Sequence, residues 1–219
     1  MRRTWFAAVL IAMSVAGCAS MQAAFLRYQP VYETELVSVE RPAKAKERYG
    51  PQVITSVRDS NRTKYAFADS LVKVVIYPAK DRVAFDLSNQ TQHSIKIPWN
   101  DAAFVGVDGK SESVMHTGVK YNECSSPKAP SVVVQRGSMD DELIPCSHVS
   151  FGYSSWIISN LIPTAPVTAS DTARIMGAAQ QYVGKTISVL LPLQIEDVVN
   201  DYLFTFQIKS ARLAPASAY

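Results

Sequence analysis

The sequence predicts a mainly β protein, an immunoglobulin-like antiparallel β-sandwich with one short inserted helix at about residues 170–183. Three observations carry this. Apolar and polar residues alternate with period two over several segments, which puts one side-chain set on a core face and the next in water. Turn signals separate these segments every eight to twelve residues or so, the spacing of a sandwich or barrel. The chain is 47% hydrophobic and 10% aromatic, enough for a real core in 219 residues.

The elements follow in order. Residues 35–39 read as a possible short strand, and 71–77 as a longer one. Val83, Phe85 and Leu87 alternate with Ala84, Asp86 and Ser88; Ile95, Ile97 and Trp99 alternate with Ser94, Lys96 and Pro98. With the polar residues 89–92 between them, these two arms read as a half-buried hairpin. Residues 102–107 and 111–118 flank Asp108 and Gly109, a strong hairpin turn. Residues 132–135, 142–144 and 149–156 are further strand candidates.

The helix is read from Ile175, Met176, Ala179, Tyr182 and Val183, an apolar stripe at helical spacing, with Ser170 and Asp171 at its start and Gly184 past its end. The last two arms alternate most clearly. Ile187, Val189, Leu191, Leu193 and Ile195 share one face of the first, and Tyr202, Phe204, Phe206 and Ile208 share one face of the second, with a turn over 196–201. Val198 and Val199 fall at that turn, where they either meet a partner or fold back over the core.

The N-terminus carries the most specific motif. Arg2 and Arg3 precede an apolar run from Trp5 to Ala16, broken by Ser14. As a helix this run spans roughly 18 Å, short of the ~30 Å hydrocarbon core and suited to a signal segment. Val15, Ala16, Gly17 and Cys18 close it. This stretch resembles the lipobox of bacterial lipoproteins. The resemblance implies cleavage after Gly17, lipidation of Cys18 and stable attachment through two or more acyl chains. Ala19 and Ser20 follow, without the Asp that retains a lipoprotein in the inner membrane, so the resemblance implies an outer membrane location facing the periplasm. Residues 85–89, 95–99 and 190–193 further resemble segments of bacterial β-sandwich lipoproteins with an N-terminal tether, which implies no activity.

The expected organisation is a signal peptide over 1–17, a lipidated tether over 18–51, a sandwich over 52–213 and a tail over 214–219. Arg41, Lys44, Lys46 and Arg48 lie in a charged run that reads as a solvated tether or a contact with anionic head groups. If Cys18 is lipidated, Cys124 and Cys146 remain. In an oxidising periplasm they pair as a disulfide; two separate buried thiols or a metal pair are the alternatives. The formal charge is +3, and loss of Arg2 and Arg3 lowers it to +1, which gives no basis for nucleic acid as a partner.

No motif for catalysis, cofactor or metal emerges. His93, His116 and His148 lie outside metal-ligand spacing of one another. Residues 151–156 lack the second glycine of a nucleophile elbow. Asp140, Asp141 and Glu142 form the densest acidic cluster, without the spacing and glycine of a calcium loop. Trp99, Trp156 and the Tyr202 stripe read as core or as a ligand groove. The expected function is a non-enzymatic envelope lipoprotein, holding membrane lipid through Cys18 and an envelope protein through its sandwich. A periplasmic ligand-binding or enzyme domain, and a lipidated subunit of a secretion or appendage machine, are the alternatives.

Overall fold

Two antiparallel strands at the C-terminal end show how the core is made. β14 (Thr186–Ile195) and β15 (Val198–Pro215) pair in register from Thr186 opposite Gln207 to Ile195 opposite Val198. Ile187, Val189, Leu191 and Leu193 of the first, and Tyr202, Phe204, Phe206 and Ile208 of the second, are all buried. Alternation therefore translates directly into one covered face. Pro192 cannot donate to a neighbouring strand, and it sits where none is needed. β7 (Ala103–Val105) pairs with residues 188–190 of β14 and β6 (Ile95–Ile97) with residues 194–195, leaving 192 between them.

The computed structural model describes residues 27–42, 45–59, 62–164, 167–168 and 171–216. The larger of its two units comprises Thr34–Pro163 and Gly184–Ile208. It is a mainly β, antiparallel sandwich. One sheet holds β1 (Arg27–Glu40), β15 and β14, continued through β7 to β8 (Ser111–Met115) and through β6 to β9 (Ser131–Val133). The other runs β10 (Ser138–Pro145), β5 (Val83–Asn89), β4 (Val72–Pro78), β3 (Arg62–Ala68) and β2 (Val53–Asp59). Val114 and Met115 of β8 also pair with Pro145 and Ile144 of β10, which joins the sheets along one side.

Aromatic rings lock the two faces together. Phe67 of β3 meets Tyr202 and Phe204 of β15 edge-on, with centroids 5.7 and 5.8 Å apart, and Tyr65 meets Phe206 at 6.0 Å. Edge-to-face geometry sets the positive rim of one ring against the negative face of the next. A second, smaller cluster of Met115, Cys124 and Ile144 packs with Tyr121, Val149 and Ile158.

Four expectations are corrected by the structure. Residues 83–88 and 94–99 do not form a hairpin with each other. β5 pairs with β4 and β10, and β6 with β14 and β9, so the connection crosses between sheets. Asn89 holds that corner: its Nδ2 donates to the carbonyls of His93, Val133 and Val134, and its Oδ1 accepts from Thr91. Residues 149–156 are not one strand. They fold into β11 (Val149–Gly152) and β12 (Ser155–Ile158) around Tyr153 and Ser154, both at positive φ. The tether expected to residue 51 is largely strand: β1 occupies 27–40, with Leu36 and Val39 in the core, and α1 (Ala45–Tyr49) follows with Tyr49 buried. At the other end β15 runs to Pro215 and buries Ala214, where a tail is expected.

The smaller unit comprises the described parts of residues 1–33, 164–183 and 209–219. Its helix α2 (Thr172–Gln180) lies where the apolar stripe puts it, with Ala179 buried. Gly184, at φ +88°, follows the turn that ends the helical segment. Arg27 and Tyr28 of β1 pair with β13 (Val167–Thr168), Tyr182 meets Tyr32 edge-on at 6.1 Å, and Ser210 donates to Glu33 at 3.0 Å. Burial and the neighbouring Tyr182 push the Tyr32 hydroxyl up to about 12.

Candidate functional site

β2 ends its sheet. It pairs with β3 from Val53 opposite Ala68 to Asp59 opposite Arg62, and among the described residues no strand pairs with its other side. All seven of its residues are exposed, including Val53, Ile54 and Val57. Ile54 and Ser56 lie opposite Phe67 and Tyr65, on the core side of the sheet, yet the facing sheet does not cover them. An edge strand of this kind leaves every second N–H and C=O available for another strand. Natural edges are blunted by Lys, Pro or bulges. β2 contains no Lys and no Pro, and its Arg58 and Asp59 are confined to one end.

A cluster of buried polar groups braces the sandwich where β1 gives way to α1. Asp69 has a fully buried side chain and accepts four hydrogen bonds. The Leu71 and Val72 backbone N–H groups reach Oδ1 at 2.9 and 3.1 Å, while Arg41 and the Tyr202 hydroxyl reach Oδ2 at 3.2 and 3.1 Å. Arg41 also donates to the Gly50 carbonyl, Ser70 donates its N–H to the Tyr49 carbonyl, and the Tyr49 hydroxyl donates to Asn200. Burial first, and then the Asp69 carboxylate, pushes the Tyr202 hydroxyl well above the usual tyrosine range. Arg41 is therefore a core ion pair, not a head-group contact. Lys44 lies outside the described residues, as does Cys18 with the whole apolar run.

The three histidines do not converge; each faces a different carboxylate. His93 Nδ1 lies 3.3 Å from Glu196, His116 Nδ1 3.2 Å from Asp141, and His148 Nε2 3.9 Å from Glu112. His116 is the most constrained. A carboxylate only accepts, so Nδ1 carries the proton, and the ring stacks on Trp99 with centroids 4.1 Å apart. Asp141 is itself buried and accepts the Thr117 and Glu142 N–H groups, which separates it from the acidic cluster read in the sequence. Glu142 instead pairs with Arg82, whose guanidinium is held charged by Asp81 and Glu142 together. Among the described residues no group of three or more His, Cys, Asp or Glu is placed to hold a metal ion.

Trp99 is core, its indole N–H donating to Ser131 at 2.9 Å, and the Tyr202 stripe is core as well. Trp156 is exposed on the β11–β12 hairpin beside Phe151. Val198 and Val199 are exposed and belong to β15, not to a turn. Cys124 and Cys146 form a disulfide with Cα atoms 5.7 Å apart, inside the smaller apolar cluster. A shallow surface depression of about 360 Å³ lies along His93, Lys96 and Glu196.

No protein-family model and no curated protein matches this chain. Among solved structures, the "X-ray structure of Northeast Structural Genomics Consortium target SoR45" aligns over 84% of this chain and 92% of that chain, at 8% identity and a TM-score of 0.24.

Two surface features escape the sequence reading. The β2 edge shows no alternation, because neither of its faces is covered. The aromatic hairpin is hidden by its turn, where Tyr153 and Ser154 occupy positions that usually signal themselves as Asn and Gly.

Proposed function

We propose that this protein is a lipid-anchored envelope lipoprotein whose sandwich serves as an interaction module, accepting a partner strand along β2. The exposed, unpaired edge of β2, with three large apolar side chains in water, supports the reading best. Main-chain pairing supplies the affinity in such additions, and the alternate side chains supply specificity. Cys18 supplies the anchor, with cleavage after Gly17 and an outer membrane position as the lipobox implies.

Each half has its own test. Cys18→Ala is expected to abolish palmitate labelling and move the protein from the membrane fraction to the soluble or unprocessed one; unchanged labelling and retention would refute the anchor. Val57→Lys places a charge on the outer face of β2. It is expected to change stability by less than about 0.5 kcal/mol and to remove envelope proteins captured by mild crosslinking. Capture that persists unchanged in Val57→Lys would move the interaction surface elsewhere. If the captured proteins are components of a secretion or appendage machine, the subunit reading replaces the general one. The ligand-binding or enzyme reading has its best-placed group in His116, fixed by Asp141 and Trp99.

A further inference from the structure

We infer that the β11–β12 hairpin is a lipid-contacting tip, which seats its aromatic side chains in the headgroup region of a neutral bilayer. The hairpin forms a two-stranded sheet of its own. Phe151 pairs across it with Trp156, rings 5.4 Å apart, and Tyr121 joins Trp156 at 5.7 Å. Phe151 is 64% exposed, Trp156 41%, and Tyr153 at the apex 100%. A fully exposed aromatic at the tip of a turn is unusual, and its backbone makes it more so. Tyr153 and Ser154 hold φ values of 52° and 65°, a conformation that favours glycine or asparagine. Packing within the protein does not explain a tyrosine there.

Charge selects the occupant. The 28 residues from 143 to 170 contain no Asp, Glu, Lys or Arg, and one His. The polar residues of the hairpin are serines, and the two charges flanking Tyr121, Lys120 and Glu123, pair with each other. A surface built of Phe, Tyr, Trp and Ser without charge matches the membrane interface, where Trp and Tyr place an apolar ring among acyl chains and a polar edge in water. The hairpin itself, residues 149–158, offers no counter-charge to a partner held by ion pairs. The base is fixed: Val149 and Ile158 pack into the cluster that contains the Cys124–Cys146 disulfide, so the tip projects as a stiff unit. The lipoprotein reading brings the chain to a membrane, and the inference rests on that reading for this step alone.

The test is tryptophan quenching by brominated phosphatidylcholine in vesicles, using the full acylated chain and the full chain with Cys18→Ala. The component of the emission that disappears in Trp156→Phe reports Trp156 alone. In the acylated chain, lipid brominated near the headgroup is expected to quench most of that component. Lipid brominated deep in the tails is expected to quench less, with no dependence on salt. Replacing Tyr153 by Asn and Ser154 by Gly suits the turn, so the hairpin still folds, and the quenching is expected to fall sharply. A Trp156 component that no brominated lipid quenches in either chain overturns the inference, as does one shielded only when envelope proteins or glycans are added. Quenching retained in Cys18→Ala supports the hairpin while removing any dependence on the anchor, which separates failure of one reading from failure of the other.

Discussion

Asp69→Ala is expected to destabilise the fold by about 3–5 kcal/mol, the range found when one partner of a buried ion pair is removed. Four groups lose their acceptor at once. The Leu71 and Val72 N–H groups, the Arg41 guanidinium and the Tyr202 hydroxyl all converge on a carboxylate with no exposed surface. Arg41 has a side chain only 9% exposed, so solvent does not replace the lost charge. Against a total stability of roughly 5–15 kcal/mol for a domain, this is a large fraction. Urea unfolding of the wild type and the variant measures it. Asp69→Asn keeps an acceptor for the two N–H groups and is expected to lie between them. A loss below about 1 kcal/mol for Asp69→Ala would show that water reaches the cluster after all.

The same cluster gives a pH dependence with a definite sign. Tyr202 titrates above the usual tyrosine range in the folded state, because burial and the Asp69 carboxylate disfavour its anion. Below about pH 10 both folded and unfolded forms hold the proton, and the stabilising contribution is complete. Above that value the unfolded tyrosine ionises first, so stability is expected to fall as pH rises toward the folded value. Thermal unfolding measured stepwise above pH 10 reads this directly. A parallel decline in Tyr202→Phe would assign the effect to other groups.

Much of the sandwich was legible in the sequence wherever one face of a strand is covered and the other is wet. β5 follows that rule residue by residue and β15 does so over residues 200–208, while β14 keeps its apolar face inside but also covers Ser188 and Pro192 of the other face. The stripe that includes Ala179 likewise located the helix. Pairing was less legible, because period two says which side chains turn inward and nothing about which strand lies alongside. The arms at 83–88 and 94–99 therefore read as a hairpin while belonging to different sheets. The charged run misled for a related reason. Arg41 finds its carboxylate 28 residues away, and no local pattern marks a contact of that separation. β2 gave no signal at all, since exposure on both faces imposes no alternation.

Loss of the Cys124–Cys146 bond is expected to cost about 3 kcal/mol, and to cost it unevenly. The bond closes a loop of separation 22, and the chain-entropy model assigns roughly that value to its effect on the unfolded chain. The uneven part follows from where the two sulfurs lie. Cys124 and Cys146 sit in the cluster of Met115 and Ile144 that supports Val149 and Ile158, apart from the main core around Phe67 and Phe204. A small cluster has few apolar contacts to hold it once the covalent link is gone. Regions of low local contact open at lower free energy than the global transition. In the variant with Cys124→Ser and Cys146→Ser, amide exchange is therefore expected to quicken first over residues 149–158, while β14 and β15 keep their protection. Hydrogen exchange read by mass spectrometry distinguishes this from a uniform loss across all strands, which would place the two clusters in one cooperative unit. If the hairpin loosens alone, the disulfide holds the aromatic tip rigid as well as stabilising the fold. Lipid quenching of Trp156 should then weaken in this variant while the sandwich remains folded.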